Sequence, residues 1–197
     1  MTVRTILRSV LVIVACTAVF GLAYPAVMVA FAGAAFPSQA HGSLIYSGGK
    51  LIGSSLAAQD FTGPQYFHER PSATTPAYNP AATTFANLGP TSPQLAAQVR
   101  QLIQAILKLE SPYNPGLKAS DIPVDAVTTS GSGIDPDISI AYAQLQARRV
   151  AAVRHLQLAR VQSLIKKYTT GRSLGILGEP GVNVLELNLA LNKLGDK

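Results

Sequence analysis

Three hydrophobic patterns follow one another along the chain. The first is unbroken: no residue from Ser9 to Ala40 is charged, and Val10 to Phe31 is almost wholly apolar. About 20 such residues in succession make a membrane-crossing helix. The second is a pair of short apolar runs, Leu44-Ile45-Tyr46 and Leu51-Ile52, around Ser47-Gly48-Gly49, which predicts a β-hairpin. The third is helical. Leu95, Val99, Leu102, Ile106 and Leu109 recur at helical spacing behind Ser92-Pro93, so a helix runs to about Glu110 with Ser92 as N-cap and Pro93 at its first position. A second helix runs from a Ser139 cap through Arg154, with Leu145, Val150 and Val153 inward and Arg148, Arg149 and Arg154 mostly outward. Leu158, Val161, Leu164, Ile165 and Tyr168 share one side of a third. Near the C-terminus Leu185, Leu187, Leu189 and Leu191 alternate as a strand would. Asn183 with Glu186 three residues later reads as a cap pair, however, and leucine-rich composition favours helix.

Between these elements the pattern is irregular. Gly63 to Pro93 is rich in Pro, Thr, Ala and Asn, which argues against regular structure. Its aromatics Tyr66, Phe67, Tyr78 and Phe85 argue for order, because disordered segments are poor in them. It therefore reads as a long ordered arm. "SPYNPGLKASD" is a linker, "IPVDAVTT" a short buried strand or extended segment, and "TTGRSLGILGEPG" a glycine-punctuated connection. The fold class is α+β: one N-terminal transmembrane helix followed by one mixed domain.

Charge orients that arrangement. Arg4 and Arg8 precede the apolar run, and the next basic residue is Lys50. Positive charge before a span and none just after it places the N-terminus in the cytoplasm. The expected organisation is residues 1–9 cytoplasmic, 10–32 as anchor in the cell (inner) membrane, and 36–197 as an extracytoplasmic domain. A cleaved signal peptide is the competing reading, with Ser38-Gln39-Ala40 as its cleavage site, but its apolar region is normally roughly 7–15 residues. Alanines and Gly21 within the span allow a second helix to approach closely. Tyr24-Pro25 marks a place for a kink. The only cysteine, Cys16, lies in the span, so the exported part holds together without a disulfide. The net charge of +6 shows no aromatic-basic clustering, which makes nucleic acid a poor partner.

The densest chemistry lies in "VTTSGSGIDPDIS", Val127 to Ser139. Ser130-Gly131-Ser132-Gly133 lacks the lysine of a phosphate-cradling P-loop and the third glycine of a dinucleotide fingerprint, and reads as a tight turn. Asp135 and Asp137 flank a proline and tend to diverge, unlike a glycosidase pair. An EF-hand loop counted from Asp135 meets Gln146 where a bidentate glutamate is needed. Asp135 to Ser139 is instead read as the start of the helix that carries Gln146 and Arg149. His41, His68 and His155 have no metal-ligand spacing, and His68 with Glu69 and Arg70 reads as a solvated surface cluster. "GRSLG", Gly171 to Gly175, fits G-x-S-x-G by letter, but a helix precedes Ser173 and no histidine follows it. No arrangement demands an enzyme. A membrane-anchored extracytoplasmic hydrolase or binding protein is the alternative these residues leave. Gln144, Gln146, Arg148 and Arg149 are either a solvated face or one that meets a partner or a nucleotide.

Several stretches resemble, in order, the blocks of the KdpC family: "FPSQAHGSLI", "GSSLAAQDF", "YFHERPSA", "YNPAA", "NLGPTSP", "IPVDAVTTSGSGIDPDIS", "QARRVAAVR" and "LGILGEPGVNVLELNLALNKL". KdpC is the small subunit of the bacterial potassium-transporting Kdp P-type ATPase. The resemblance covers nearly the whole chain. One departure is Thr83-Thr84-Phe85-Ala86, where the family usually has a Gly/Ser-rich run. The resemblance implies a non-catalytic accessory subunit of a potassium uptake complex, with channel-like, ATPase and small subunits as partners and no tightly bound cofactor. It implies that Ser130, Gly131, Ser132, Gly133, Asp135, Arg149, Arg70, Pro71, Asn183, Glu186 and Asn188 are signature or docking residues. A catalytic-chaperone role has been proposed for the family, raising ATP affinity through a glutamine that matches Gln146. The orientation read from Arg4 and Arg8 conflicts with that role, since ATP is cytoplasmic.

Overall fold

A computed structural model of the chain describes residues 2–195, and falls into two units divided after Ile52. In the first unit one apolar helix runs from Val3 to Ala35, with none of its most apolar window buried within the chain. It consists of α1 (Val3–Cys16), a seven-residue π-helical segment (Thr17–Ala23) and α2 (Tyr24–Ala35). The π segment ends where Pro25 begins to act. Proline supplies no N–H and its ring crowds the carbonyl four residues back. Widening the preceding turns relieves that clash, and the Tyr24 N–H reaches the Val19 carbonyl five residues back. The kink expected at Tyr24-Pro25 thus takes the form of a π segment. At 1.5 Å per residue a helix of 33 residues spans about 50 Å, longer than a hydrocarbon core of about 30 Å. A one-turn helix α3 (Pro37–Ala40) follows.

The predicted hairpin is present at the junction of the units, as β1 (Leu44–Ser47) and β2 (Lys50–Ser54). Gly48 and Gly49 both take positive φ, 56° and 77°, as a two-residue hairpin turn of the type I′ family requires.

The second unit holds the core. Helix α4 (Pro93–Glu110) starts as expected: Ser92 caps it by accepting the Leu95 N–H at 3.4 Å, and Pro93 opens it. Helix α5 (Ile140–Val153) is capped by Ser139, which accepts from the Tyr142 N–H at 3.0 Å. Helix α6 (Leu158–Lys167) buries Val161 and Ile165. Helix α7 (Val184–Gly195) buries Val184, Leu185, Leu187 and Leu191. It is a helix as predicted, and Asn183 is its cap, accepting from the Glu186 N–H at 3.0 Å. A small antiparallel sheet orders these helices, with β5 (Gly181–Asn183) between β3 (Asp137–Ile138) and β4 (Thr169–Thr170). Asp137 opposes Asn183 and Ile138 opposes Val182 on one side; Thr169 opposes Val182 and Thr170 opposes Gly181 on the other. The arm from Gly63 to Thr91 has no helix or strand, yet Phe67 is fully buried in the core.

Four expectations are corrected. Asp135 to Ile138 does not begin α5: Asp137 and Ile138 pair with β5, because a central strand offers them a ladder that the helix start does not. "IPVDAVTT" is not extended but contains a 3-10 turn, Val124–Ala126, behind Pro123, and leaves Val124 exposed. Arg149 does not face out; it is fully buried. His68, Glu69 and Arg70 are not a solvated cluster: Glu69 is 4% exposed and the other two are partly covered.

Candidate functional site

The site is the seam where the arm crosses α5 and α7. Two side-chain amides hold the backbone N–H and C=O of two consecutive residues of the arm. Asn188, on α7, accepts the Phe67 N–H at 2.9 Å and donates to the Phe67 carbonyl at 2.9 Å. Gln146, on α5, accepts the His68 N–H at 2.8 Å and donates to the His68 carbonyl at 3.1 Å. Each amide does for the arm what a neighbouring strand would do. A buried segment without secondary structure must satisfy its backbone in some such way.

Arg149 lies one turn beyond Gln146 and fixes the seam from below. Its Nε donates to Glu110 Oε1 at 2.7 Å, one guanidinium nitrogen donates to the Pro64 and Tyr66 carbonyls, and the other donates to Gln146 Oε1 at 2.8 Å. The pair with Glu110 is inaccessible on both sides. One planar guanidinium thereby ties α4, α5 and the arm together, which a lysine point charge cannot do. Burial pushes the Glu110 carboxyl up, with the Arg149 charge pulling against it. Asn114 braces the end of α4 by donating to the Leu145 carbonyl at 3.1 Å. Arg154 extends the seam, donating to the Gln65 carbonyl at 2.6 Å and to Asn192 Oδ1 at 2.8 Å, with its guanidinium over the Tyr66 ring.

Further along the arm the Ser130–Gly133 turn is clasped rather than open. Ser72 Oγ donates to the Gly133 carbonyl at 2.7 Å, and the Thr84 N–H donates to the Ser132 carbonyl at 3.2 Å. Ser130 Oγ accepts the Gly133 N–H at 2.9 Å. Gly133 has φ of 73°, and a Cβ there would lie 2.7 Å from the Thr74 methyl and 2.8 Å from the Thr84 carbonyl. Only glycine fits at this position. Asp135 bonds Arg70 at 2.9 Å and accepts the Asp137 N–H at 3.2 Å, so it is committed to an ion pair and a turn. Burial, then the Asp135 charge, push the Asp137 carboxyl up.

Glu69 sits behind this pair. Burial, opposed by a backbone hydrogen bond from Gln59 and reinforced by the charges of Asp135 and Asp137, pushes its pKa up to about 9. It is a neutral carboxylic acid at pH 7. His68 moves the other way: burial and then the Arg149 charge lower its pKa, so its neutral ring donates through Nε2 to the Gly63 carbonyl at 3.0 Å.

The structure thus brings together Arg70 with Asp135, and Gln146 with Arg149. It gives Asn188 the same clamping part as Gln146. Asn183 holds the 55–56 turn as well as capping α7, donating to the Ser55 carbonyl at 2.9 Å, while Glu186 contributes its backbone N–H to that cap. Gly131 and Ser132 are exposed, and Pro71 lines a cavity of about 310 Å³ beside α4. Gln146, expected on a nucleotide or partner face, is 1% exposed and spends its amide on His68 and Arg149. Glu110 and Asn114 were not singled out from sequence, and Glu69 was read as solvated. Glu110 had a signal: it falls four residues after Ile106, on the apolar stripe of α4, where a charge needs a buried partner.

Known proteins resemble the chain over nearly its whole length. The family model described as "KdpC: K+-transporting ATPase, c chain" matches residues 6–193. The potassium-transporting ATPase KdpC subunit of Paraburkholderia phytofirmans is 48% identical over 193 residues, covering 97% of this chain and 98% of the relative. That of Methylococcus capsulatus is 48% identical over 187 residues, covering 94% and 96%. That of Burkholderia orbicola is 49% identical over 191 residues, covering 96% of each.

Proposed function

The chain belongs to the KdpC family, the c chain of K+-transporting ATPases and an accessory, non-catalytic subunit of a potassium transport complex, and from that premise we propose that it acts as an anchored assembly clamp on the outer side of the membrane. In this reading the Val3–Ala35 helix crosses the cell membrane with Arg4 and Arg8 inside, and packs beside the channel-like subunit. The domain beyond it lies outside and docks on the complex as a rigid body.

The observation that carries this reading is the seam. Arg149, Gln146 and Asn188 spend their polar atoms on locking the arm to the helices, which pre-organises a surface instead of opening a reaction cleft. The same bonds favour a structural role for Gln146 over nucleotide contact, as does the outward orientation read from Arg4 and Arg8. ATP, in this proposal, belongs to the catalytic subunit alone, and this chain alters turnover through assembly. The anchored-hydrolase alternative needs free carboxylates, and the engagement of Asp135 with Arg70 speaks against it.

The test is a complex carrying only residues 1–35 of this chain. The expected result is failure of the subunits to co-purify, or loss of potassium-stimulated ATP hydrolysis. A truncated complex with full assembly and full activity would overturn the clamp.

A further inference from the structure

A cavity of about 310 Å³ lies between the arm and α4. That is the lower end of the range for pockets that hold a small ligand, roughly 300–1,000 Å³. Its lining is largely apolar and aromatic. Leu102, Ile106 and Leu109 come from α4, and Phe61, Tyr78 and Tyr142 add three rings. Ile106 is buried, while Leu102 and Leu109 keep part of their surface open. The Tyr78 hydroxyl is engaged, donating to the Arg70 carbonyl at 3.0 Å. Tyr142 is 5% exposed, and its hydroxyl has no hydrogen-bond partner among the described residues. Glu110 and Tyr78, which also line the cavity, are among the groups it senses electrostatically.

The charged side chains of the lining are carboxylates: Asp60, Glu69 and Glu110. Glu110 is committed to Arg149, which lies outside the lining. Asp60 is exposed. Glu69 is buried and holds a proton, although the Gln59 N–H favours its ionised form. His68 is kept neutral by burial and the Arg149 charge, and Arg70, beside Glu69 in the chain, is paired with Asp135. Among the described lining residues there is no lysine or arginine. Ring faces attract a cation, and a carboxylate bonds an ammonium strongly where water is excluded. An anion would meet only carboxylates here.

We propose that this cavity binds a small organic cation, an ammonium group on an aromatic or branched aliphatic body, with the ammonium answered by Glu69 and Asp60 and the body lying on α4. The proposal depends neither on the orientation of the chain nor on its role in assembly. As the cation enters, the Glu69 O–H bond breaks, the proton leaves to solvent, and the carboxylate stays beside the ammonium. The same ammonium can come from a free amine or from a lysine side chain of another subunit.

The experiment titrates phenethylammonium chloride into the full chain in neutral detergent micelles, by calorimetry at pH 7 and pH 8 in buffers of different ionisation enthalpy. An alkylamine like that of lysine titrates near about 10.4, so the probe stays charged. The expected result is release of about one proton per cation and about tenfold tighter binding at pH 8, because proton and cation compete for Glu69. Glu69→Gln should remove both the proton release and the pH dependence. Ala105→Phe, at an exposed position of α4 in the lining, should abolish binding while the melting temperature holds. Neutral 2-phenylethanol should bind about tenfold more weakly. Absence of binding to the native chain at about millimolar probe overturns the proposal. So does equal binding of 2-phenylethanol, binding that survives Ala105→Phe, or displacement of the probe by equimolar potassium chloride. In the assembled complex, persistent binding identifies a free amine as the occupant. Binding lost there and restored on dissociation identifies a partner's lysine.

Discussion

At Glu69 the fold holds a proton that the unfolded chain would release. Its ordinary pKa of 4.5 is pushed to about 9, by burial first and by the Asp135 and Asp137 charges after it. Between those two values the folded chain binds more protons than the unfolded one, so stability falls as pH rises. The contribution is whole below the ordinary carboxylate pKa and is lost as pH climbs towards the folded value. Glu69→Gln keeps the shape and abolishes the titration. Its melting temperature should decline less than that of the native chain from about pH 5 to about pH 9, the gap between the two widening towards the alkaline end. Parallel pH profiles for the two proteins would show that Glu69 does not titrate in this window.

The arm is an element without secondary structure, so its order depends on the amides beneath it. Replacing Gln146 or Asn188 by Ala leaves the peptide unit of His68 or Phe67 buried without a partner, at about 1–3 kcal/mol. Hydrogen exchange should show it locally: the Phe67 amide loses protection in Asn188→Ala and the His68 amide in Gln146→Ala, each by about tenfold or more, while amides of α6 stay as they were. Uniform loss across the domain would mean that the arm does not open as a unit. The elements themselves differed in how far the sequence disclosed them. Stripes such as Leu95-Val99-Leu102-Ile106 and the caps Ser92, Ser139 and Asn183 are local signals, and all three caps bond as predicted. Strands of two or three residues are too short to alternate, and β3 exists because β5 lies beside it after a separation of over forty residues. For the same reason Arg149 was placed on the wrong face. Its partner Glu110 lies 39 residues upstream, and periodicity within α5 alone reads a charge as solvent-facing. Gln146 was misplaced for the same cause, since its partner is a backbone peptide that has no sequence signature.

For the whole molecule the deciding quantity is which side of the membrane receives the domain. The apolar helix runs from Val3 to Ala35, with Arg4 and Arg8 in its first turns and no charged residue in the rest of it or up to His41. Basic residues resist translocation, so in the proposed orientation the N-terminus lies inside and the seam outside. A chain oriented the other way would place Lys50 and the domain in the cytoplasm, within reach of ATP. Alkaline phosphatase fused after Lys197 separates the two, because the enzyme matures only outside the cytoplasm. The expected result is high phosphatase activity, falling when Arg4 and Arg8 are replaced by glutamate and two arginines are placed just after Ala35, since positive charge retained on that side opposes export. An inactive fusion made at normal abundance would reverse the orientation. The seam would then be a cytoplasmic surface, and the orientation argument against contact between this subunit and the nucleotide would fall, leaving only the burial of Gln146 against it.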